Sequence, residues 1–377
     1  MLRTTNVRNG YVDTENCRFV TEETYKKWTR RLVPKRGDII LTREAPLGDV
    51  GKIRTDDTVF LGQRLYHFRP DPNKLDADFL LYSLLGDDLQ SQIRGYGSGS
   101  TVEHMRLEDI PCLEFNVPHL PIQQCIAGIL STYDDLIENS QRRIKILETM
   151  ARGLYREWFV HFRFPGYENH PRVASALGEI PQGWKVRSIK DVAVVTYGFP
   201  FQSKKFNTNQ IGLPVIRIRD ILDASTTTFT DEVAEAKYHI KNGDILVGMD
   251  GDFHMCIWSS GHALQNQRVA KFESSSAIGN HHLFLALELP IQTWNKSIVG
   301  TTVAHLGDMH IKSIQIVWPN EHVLKMANRV LEPMAEQIIA LKRQIQNLRR
   351  TRDLLLPRLL SGQIDVTKLD GHEETLS

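Results

Sequence analysis

Two long segments of the chain carry apolar residues at alternating spacings of three and four positions, and this pattern limits the possible fold more than any other feature. An average spacing of 3.5 residues keeps one face of a helix against a partner helix, as in a left-handed coiled coil. The predicted seam residues are Ile126, Leu130, Tyr133, Ile137, Ile144, Leu147 and Leu154 in the first segment, and Leu331, Ile338, Leu341, Ile345, Leu348 and Leu355 in the second.

The chain also repeats itself. Three short sequences of the first half recur in the second: residues 36–41 at 242–247 after 206 positions, residues 63–64 at 267–268 after 204 positions, and residues 101–105 at 302–306 after 201 positions. Self-similarity of this kind predicts tandem structural units. We therefore expect two copies of a mainly β globular unit, each followed by a long helix.

Two helices of the same phase and length in one chain are expected to pair with each other, and antiparallel pairing would place the globular units at opposite ends. A helix of about 35 residues is about 50 Å long, more than the ~34 Å of one turn of B-DNA. In the less favoured alternative, each helix only caps its own unit. Pro333 lies one residue before a seam position, so we expect a kink or a late helix start there.

Composition excludes several classes of protein. The 377 residues suffice for two to four units, and no apolar run is long enough to span a membrane. The first residues contain no apolar signal segment, so we expect no secretion. The cysteines lie far apart without a CxxC pair, which favours reduced thiols in a cytoplasmic protein. The net charge of +1 does not identify a nucleic-acid-binding protein, so that function must rest on where the charges lie.

Motifs of common enzymes are missing from the sequence. There is no Pro-Pro dipeptide of an amino-methyltransferase motif, no GxxxxGK[ST] loop for ATP and no HExxH zinc motif. His281 and His282, with His254 and Cys256, match no metal-ligand spacing, and adjacent histidines in a strand would point to opposite faces. We expect no metal and no other cofactor in this chain, and we expect these histidines in loops or at the surface.

Four segments resemble, in order, the DNA-specificity subunit of type I restriction-modification systems. They are residues 121–127 (PIQQCIA), similar to the start of the family's central helix; 158–166 (WFVHFRFPG), similar to the exit from that helix; 178–184 (GEIPQGW), similar to the beginning of a target-recognition domain; and 352–362 (RDLLLPRLLSG), similar to the end of the second helix. Together they cover nearly the whole chain, and the GEIPQGW and LLPRLLSG sequences are fairly specific.

The resemblance implies an α+β fold, in which two mainly β target-recognition domains are separated by two long helices that pair as an antiparallel coiled coil. The expected divisions are residues 1–117 for the first recognition domain, 118–162 for the central helix, 163–183 for a linker and the beginning of the second domain, 184–319 for the second recognition domain, 320–362 for the C-terminal helix, and 363–377 for a tail.

The resemblance also implies partners. Each recognition domain would read one half of a bipartite sequence in double-stranded DNA, and the helices would set the gap and dock two modification (methyltransferase) subunits. Restriction subunits with helicase and nuclease activity would join the complex. No catalytic residue is implied in this chain, and S-adenosylmethionine, ATP and Mg²⁺ would be used by the partner subunits.

The two halves differ at their beginnings. In the second half, residues 178–215 precede the strand predicted to hold Arg217 and Arg219, whereas residues 2–6 are the counterpart of that strand in the first half. The first recognition domain is therefore expected to lack its opening segment. Three explanations stay open: a misassigned start, a truncated gene, or another segment that completes the fold.

Side chains that suit base edges or phosphates define the candidate DNA contacts. Arg suits guanine and Asn or Gln suits adenine, while phosphate contacts position the protein. The candidates are Arg3, Asn6, Arg8, Arg43, Arg64, Arg94, Tyr96 and His104 in the first half, and Arg217, Arg219, Asp250, His254, Gln267, Arg268, Thr301, Thr302 and His305 in the second. For any single residue, a structural role is an equally good interpretation.

Other functions remain possible on the sequence. A coiled-coil scaffold whose globular units bind protein would show no DNA affinity even with its partners present. A truncated, silent copy of a specificity subunit and the recognition half of a split modification enzyme are further alternatives. Neighbouring genes for a methyltransferase and a helicase-nuclease would favour a type I system.

Overall fold

In a computed structural model, which describes residues 1–97, 103–275, 279–297 and 304–368, the chain divides into two compact units. The first unit comprises Met1–Ile137 and Asn347–Ser377, and the second comprises Glu138–Gln346. Because each boundary falls inside a long helix, both units contain part of both long helices.

The first unit is built on one five-stranded mixed sheet in the order β1-β2-β4-β3-β5, in which β2 and β4 are parallel and the other neighbours antiparallel. Its elements are β1 (Val7–Arg8), β2 (Gly10–Val12), α1 (Glu22–Trp28), β3 (Ile39–Arg43), β4 (Leu47–Lys52), β5 (Leu65–Phe68), α2 (Ala77–Leu85), α3 (Asp87–Gly95) and the first half of α4 (Leu120–Tyr155). β3 begins two residues after Gly37, and most of the residues of α2 are buried.

The second unit contains two four-stranded sheets and two strand pairs. Its elements are β6 (Arg172–Ser175), β7 (Gly178–Pro181), β8 (Lys185–Ser188), α5 (Ile189–Val192), β9 (Ala193–Tyr197), β10 (Leu213–Ile216), α6 (Ile218–Ile221), β11 (Phe229–Thr230), β12 (His239–Ile240), β13 (Ile245–Gly248), β14 (Met255–Ile257), β15 (Ala263–Gln265), β16 (Val269–Ser274), α7 (Asn280–Ser297), α8 (Asp308–Ser313), β17 (Gln315–Trp318) and the first part of α9 (Glu321–Leu360). The sheet orders are β14-β13-β16-β9 and β11-β10-β15-β12, and the pairs are β17-β8 and β6-β7.

The same structural repeat underlies both units. Antiparallel β3, β4 and β5 correspond to antiparallel β13, β14 and β16, with the offsets that the sequence predicts. In the second unit β9 also pairs with β16. Among the described residues of the first unit no strand takes that place, so β5 is the last strand of its sheet.

A glycine turn precedes β3 in the first unit and β13 in the second. Gly37 and Gly243 have φ angles of 95° and 94°, a backbone region that favours glycine. The following aspartates, Asp38 and Asp244, each accept a hydrogen bond from the backbone N–H three residues earlier, at 2.8 and 2.9 Å. The Gly-Asp sequence thus fixes the same tight turn ahead of β3 and β13.

Each unit has its own hydrophobic core. In the first unit, α2 and α3 cover β3 and β4 through buried residues that include Ile39, Leu41, Leu81, Leu84 and Ile93. In the second, α7 and α8 cover β13 and β16 through residues that include Ile245, Phe272, Leu283, Leu287 and Ile311. At about 25 cal/mol for each Å² of apolar surface removed from water, such burial dominates the stability of each unit.

The two long helices pair antiparallel. In the first unit, Ile126 and Leu130 of α4 share a core with Leu359 of α9. In the second unit, Ala151 near the other end of α4 shares a core with Ala327 near the beginning of α9. The predicted α+β fold, with two mainly β domains and an antiparallel helical pair, is confirmed.

All predicted seam residues are buried or half-buried. The expected late start at Pro333 is wrong, because α9 is continuous from Glu321 to Leu360. Pro333 itself is exposed, and buried Leu331 and Ala335 flank it on the packed face. Packing on both sides of the proline therefore offsets the hydrogen bond that it cannot donate.

One polar cluster interrupts the apolar helix contact in the first unit. Asp134 of α4 accepts hydrogen bonds from Arg352 Nη1 of α9 (2.5 Å), from the Tyr82 hydroxyl (2.7 Å) and from Arg54 Nη2 (3.5 Å). The positions equivalent to Arg352 and Asp134 in the other copy are occupied by alanines, Ala151 and Ala335, both buried in the second unit. The two copies of the helix contact are therefore not chemically equivalent.

No helix in the described part of the chain is both long enough and apolar enough to cross a membrane.

Candidate nucleic-acid interface

Three loops of the second unit meet beside the end of β13. The backbone N–H of Met249 donates to the Arg268 carbonyl (3.0 Å), and the N–H of Leu306 donates to the Met249 carbonyl (2.7 Å). This ladder brings three candidate side chains together. Asp250 Oδ2 lies 3.3 Å from Arg268 Nε, and Asp250 Oδ1 lies 2.5 Å from His305 Nδ1.

The first unit repeats this arrangement beside the end of β3. Arg43 occupies the position of Met249: its N–H donates to the Arg64 carbonyl (2.9 Å), and its own carbonyl accepts from the Met105 N–H (2.9 Å). Glu44 Oε1 lies 2.7 Å from Arg64 Nε, and Glu44 forms an isolated antiparallel bridge with His104, as Asp250 does with His305. In each unit one acidic residue thus contacts both an arginine and a histidine. Glu44 contacts Arg64 and His104, and Asp250 contacts Arg268 and His305.

An open cavity of about 450 Å³ lies next to the cluster in the second unit. Its lining brings together five of the predicted contacts with three further side chains: Arg217, Arg219, His254, Gln267 and Arg268, with Ile218, Asp252 and Asn266. The three arginines give this concave surface an excess of hydrogen-bond donors, which suits phosphates and the acceptor edges of bases.

The arginines after β10 occupy a capped turn. Arg217 and Arg219 do not lie on the strand, as the sequence suggested, because β10 ends at Ile216 and α6 follows. Asp220 stabilises the change from strand to helical turn at this point. Its Oδ2 accepts a hydrogen bond from the Arg217 N–H (2.9 Å) and lies 3.3 Å from Arg217 Nε. Arg219 is exposed and has no hydrogen-bond or ion-pair partner in the part of the chain that the structure describes.

The first unit has the counterpart of this turn at the predicted position. Leu2 forms a parallel bridge with Leu61, as Ile216 does with Gln265. Asn6 takes the place of Asp220, and its Oδ1 accepts from the Arg3 N–H (2.9 Å). Arg3 is half-buried and Asn6 is buried.

Several other candidates make contacts within the protein. Asn6 Nδ2 donates to the Asn16 carbonyl (3.1 Å). The Arg43 guanidinium donates to the carbonyls of Met105 (3.2 Å) and Gln63 (2.9 Å), so it holds two loops in place.

The remaining first-half candidates are exposed. Arg8 lies on β1, Arg94 donates to the Ser91 hydroxyl (3.3 Å) from α3, and the Tyr96 hydroxyl donates to the Cys112 carbonyl (3.5 Å). Thr301 and Thr302 lie outside the described residues.

Sequence reasoning missed Glu44, Asp252 and Asn266. Glu44 had a detectable signal, because it lies 206 positions before Asp250, the offset of the flanking repeat. Asp252 and Asn266 had none, since only the folded loops bring them to the cavity.

The histidines considered as metal ligands are not where the sequence placed them. His281 and His282 lie on α7, not in a loop or strand, and only 5% and 1% of their surfaces are exposed. Burial lowers their pKa values to about 4 and about 3. His282 packs against the rings of Phe159 and Trp318, so it acts as an aromatic core residue. No group of three or more metal-ligating side chains occurs in the described residues.

Comparison with known proteins gives concordant results. Residues 4–149 and 181–348 match the family model for the type I restriction modification DNA specificity domain. The chain is similar to the type I restriction enzyme MjaIX specificity subunit of Methanocaldococcus jannaschii, with 27% identity over 93% of this chain and 83% of that protein. It is also similar to the EcoBI specificity subunit of Escherichia coli, with 32% identity over 50% of this chain and 41% of that protein.

A solved structure shares the fold. The S subunit of a type I restriction-modification system from M. genitalium superposes with a TM-score of 0.56 over 95% of this chain and 91% of that chain, at 16% sequence identity.

Proposed function

The chain belongs to the type I restriction-modification DNA specificity family, and from this premise we propose that it reads a bipartite sequence in double-stranded DNA. Each of the two specificity domains would recognise one half of the target. The chain would have no catalytic activity of its own and would supply sequence recognition to a larger complex.

The observation that carries this proposal is the duplicated loop cluster. An acid, an arginine and a histidine occupy equivalent loops in both units, as Glu44, Arg64 and His104 and as Asp250, Arg268 and His305. Two similar polar surfaces in one chain suit a target with two separate parts, because each surface can reach only a few base pairs. The arginine-lined cavity of the second unit adds donors for base edges and phosphates.

We further propose that α4 and α9 dock two modification subunits, to which restriction subunits are added. The relatives above are named as subunits of type I restriction enzymes, which supports a multi-subunit assembly. Ile146 and Met150, one turn apart on α4, have 53% and 51% of their surfaces exposed. Apolar side chains in this position are suited to burial against another protein. S-adenosylmethionine, ATP and Mg²⁺ would be bound by these partners.

A methylation map tests the proposal. The full chain would be co-expressed with the modification subunit encoded beside its gene, in a host without adenine methylation, and methylated adenines would be located by long-read sequencing. We expect two short sequences separated by a fixed gap.

The control is the modification subunit expressed alone, which should methylate nothing. If the complex assembles and the genome stays unmethylated, DNA recognition by this chain is refuted in favour of a scaffold or a silent copy. Methylation of one continuous sequence would refute the bipartite part of the proposal.

A further inference from the structure

Each unit holds one arginine by its Nε atom against a carboxylate. The Arg64 side chain is 59% exposed and contacts Glu44, while the Arg268 side chain is 54% exposed and contacts Asp250. No other ion pair or side-chain hydrogen bond of either arginine exists among the described residues. Each guanidinium is therefore anchored at one atom, and much of it faces solvent.

The anchoring carboxylates are themselves held. Asp250 is bridged to His305, whose Nδ1 lies 2.5 Å from the second oxygen of the carboxylate. Glu44 forms the equivalent backbone bridge with His104. Because Glu44 directly follows β3 and Asp250 lies two residues after the end of β13, the sheet of each unit fixes the position from which the arginine extends.

The charge of the pair decides what such an arginine can recognise. Binding to phosphate depends on positive charge and on the release of counterions from DNA. A carboxylate lies 2.7 Å from Arg64 and 3.3 Å from Arg268 and offsets part of the positive charge of each arginine, which makes both less suited to phosphate than an unpaired arginine. The N–H donors remain, and an arginine whose orientation is fixed loses less side-chain entropy on binding.

A donor group that is held in place and whose charge is partly offset suits a base edge. Among the bases, guanine presents two acceptors, O6 and N7, to the major groove, and arginine matches them with two parallel hydrogen bonds. We propose that Arg64 and Arg268 are equivalent guanine-reading residues, one for each half of the target, and that Glu44 and Asp250 are their positioning residues. This inference rests on the proposed function and adds to it the identity of one base pair in each half-site.

Arg219 provides a matched contrast within the second unit. It lines the same cavity as Arg268 and is exposed, but no acid among the described residues pairs with it. An exposed arginine whose charge no acid offsets suits phosphate, which demands charge more than orientation.

The test is selection of bound duplexes from a random-sequence DNA pool, with the full chain in complex with its modification subunit. The wild-type complex should select a G·C pair at one position in each half-site. Arg268→Ala should remove the preference for that pair in one half-site only, a loss of roughly 5- to 150-fold in discrimination. Arg64→Ala should do the same in the other half-site. Arg268→Lys, which keeps the charge but not the paired donors, should resemble Arg268→Ala.

The positioning role needs its own comparison. Asp250→Ala should weaken the preference at the same base pair as Arg268→Ala. Asp250→Glu should retain it, because glutamate occupies this position in the first unit. Arg219→Ala should lower the affinity for all sequences alike and reduce the salt dependence by about one counterion. Thermal unfolding of each complex would show that the variants are folded.

Several outcomes would overturn the inference. A uniform loss of affinity in Arg268→Ala would make Arg268 a phosphate contact, and an unchanged base preference in Asp250→Ala would remove the role of the acid. A selected motif that does not change in Arg64→Ala or Arg268→Ala would refute guanine reading and leave the proposed function intact. If the wild-type complex selects no sequence at all, the proposed function itself fails.

Discussion

The two adjacent histidines of α7 are buried ionisable groups that the fold keeps neutral. The ring nitrogens of His281 and Nδ1 of His282 have no hydrogen-bond partner among the described residues. Burial is the main cause of the lowered pKa values, and the positive charges of Arg152 and Lys342 add to it for His281. The unfolded chain, in which histidine has a pKa near 6.5, binds these protons more readily than the folded chain does.

This difference predicts a loss of stability in mild acid. Between about pH 6.5 and pH 4, the two histidines bind protons in the unfolded state but not in the folded state. The free energy of unfolding therefore falls as the pH falls. From pH 7 to pH 5 the loss should be about 2 kcal/mol for each histidine. Urea unfolding at both pH values would measure it.

Two variants isolate the contribution of one histidine. His282→Phe keeps the aromatic packing and removes the titration, so its unfolding free energy should depend less on pH. His322→Gln, at an exposed position of α9, should behave as the wild type does. Burial raises the pKa of Glu332, so this residue makes the free energy of unfolding rise as the pH falls. Because Glu332 is present in all three proteins, its contribution cancels in the comparison. Equal pH dependence in all three would contradict the prediction.

At the residue scale, the sequence identified side-chain chemistry better than side-chain position. It selected Arg268, Gln267 and His254 for their donors, and the structure places all three at one cavity. It could not show that Arg43 binds carbonyls, because that depends on loops that are distant in the chain. It misplaced His281 and His282 because adjacent apolar residues allow either a buried helix or a strand.

At the scale of secondary-structure elements, the polar cluster around Asp134 sets the register between α4 and α9 in the first unit. A register shift of either helix would separate Arg352 from Asp134 and leave a half-buried charge without its partner. Apolar seam residues alone tolerate such shifts more readily, and a buried polar group is a known means of selecting one register.

Removing the arginine should therefore weaken the helix contact. Arg352→Ala leaves Asp134 with Tyr82 and Arg54, so we expect a loss of about 2 kcal/mol in unfolding free energy, below the range for fully buried pairs. Arg350→Ala, an exposed position on the same helix, should change stability by less than about 0.5 kcal/mol. Urea denaturation would measure both.

A double-mutant cycle tests the coupling directly. The combined Asp134→Asn and Arg352→Ala variant should lose less than the sum of the two single changes. Additive losses would show that the pair does not couple the helices.

The elements themselves were largely predictable because helix and turn signals are local. The 3.5-residue spacing identified α4 and α9, and the repeat of residues 36–41 at 242–247 marked the segments that contain the beginnings of β3 and β13. The failures lie where distant contacts decide. Packing by Leu331 and Ala335 keeps α9 helical through Pro333, and the Asp220 cap ends β10 before Arg217. The parallel pairing of β10 with β15 has no short-range signal at all.

At the scale of the whole molecule, the helices are proposed to set the gap between the half-sites. One heptad inserted after Ile137 in α4 and another after Gln346 in α9 would lengthen both helices at the boundary of the units while keeping the seam in phase. Each insertion adds about 10.5 Å of helix, close to three base pairs of DNA at about 3.4 Å each. We expect a methylation map with both half-sites unchanged and a gap longer by about three base pairs.

The matched control carries the heptad in α4 alone. In this variant α9 is one heptad shorter than the extended α4. We therefore expect lower stability and weaker methylation, and no increase of the gap by three base pairs. New half-site sequences with the original gap, in the doubly extended chain, would refute the idea that the helices set the spacing.

The division of the first unit between two stretches of chain has a consequence for synthesis. Ile126 and Leu130 leave the ribosome long before Leu359, with which they share a core, because all of residues 138–346 must be made in between. At about 5–20 residues per second, that interval lasts roughly 10–40 s. During it the apolar face of α4 in the first unit can pack on Phe79 and Tyr82 but lacks its contacts with α9, whereas the second unit is continuous and can close as soon as it emerges. The first unit begins to be translated before the second, but it can complete its fold only after the second has been synthesised.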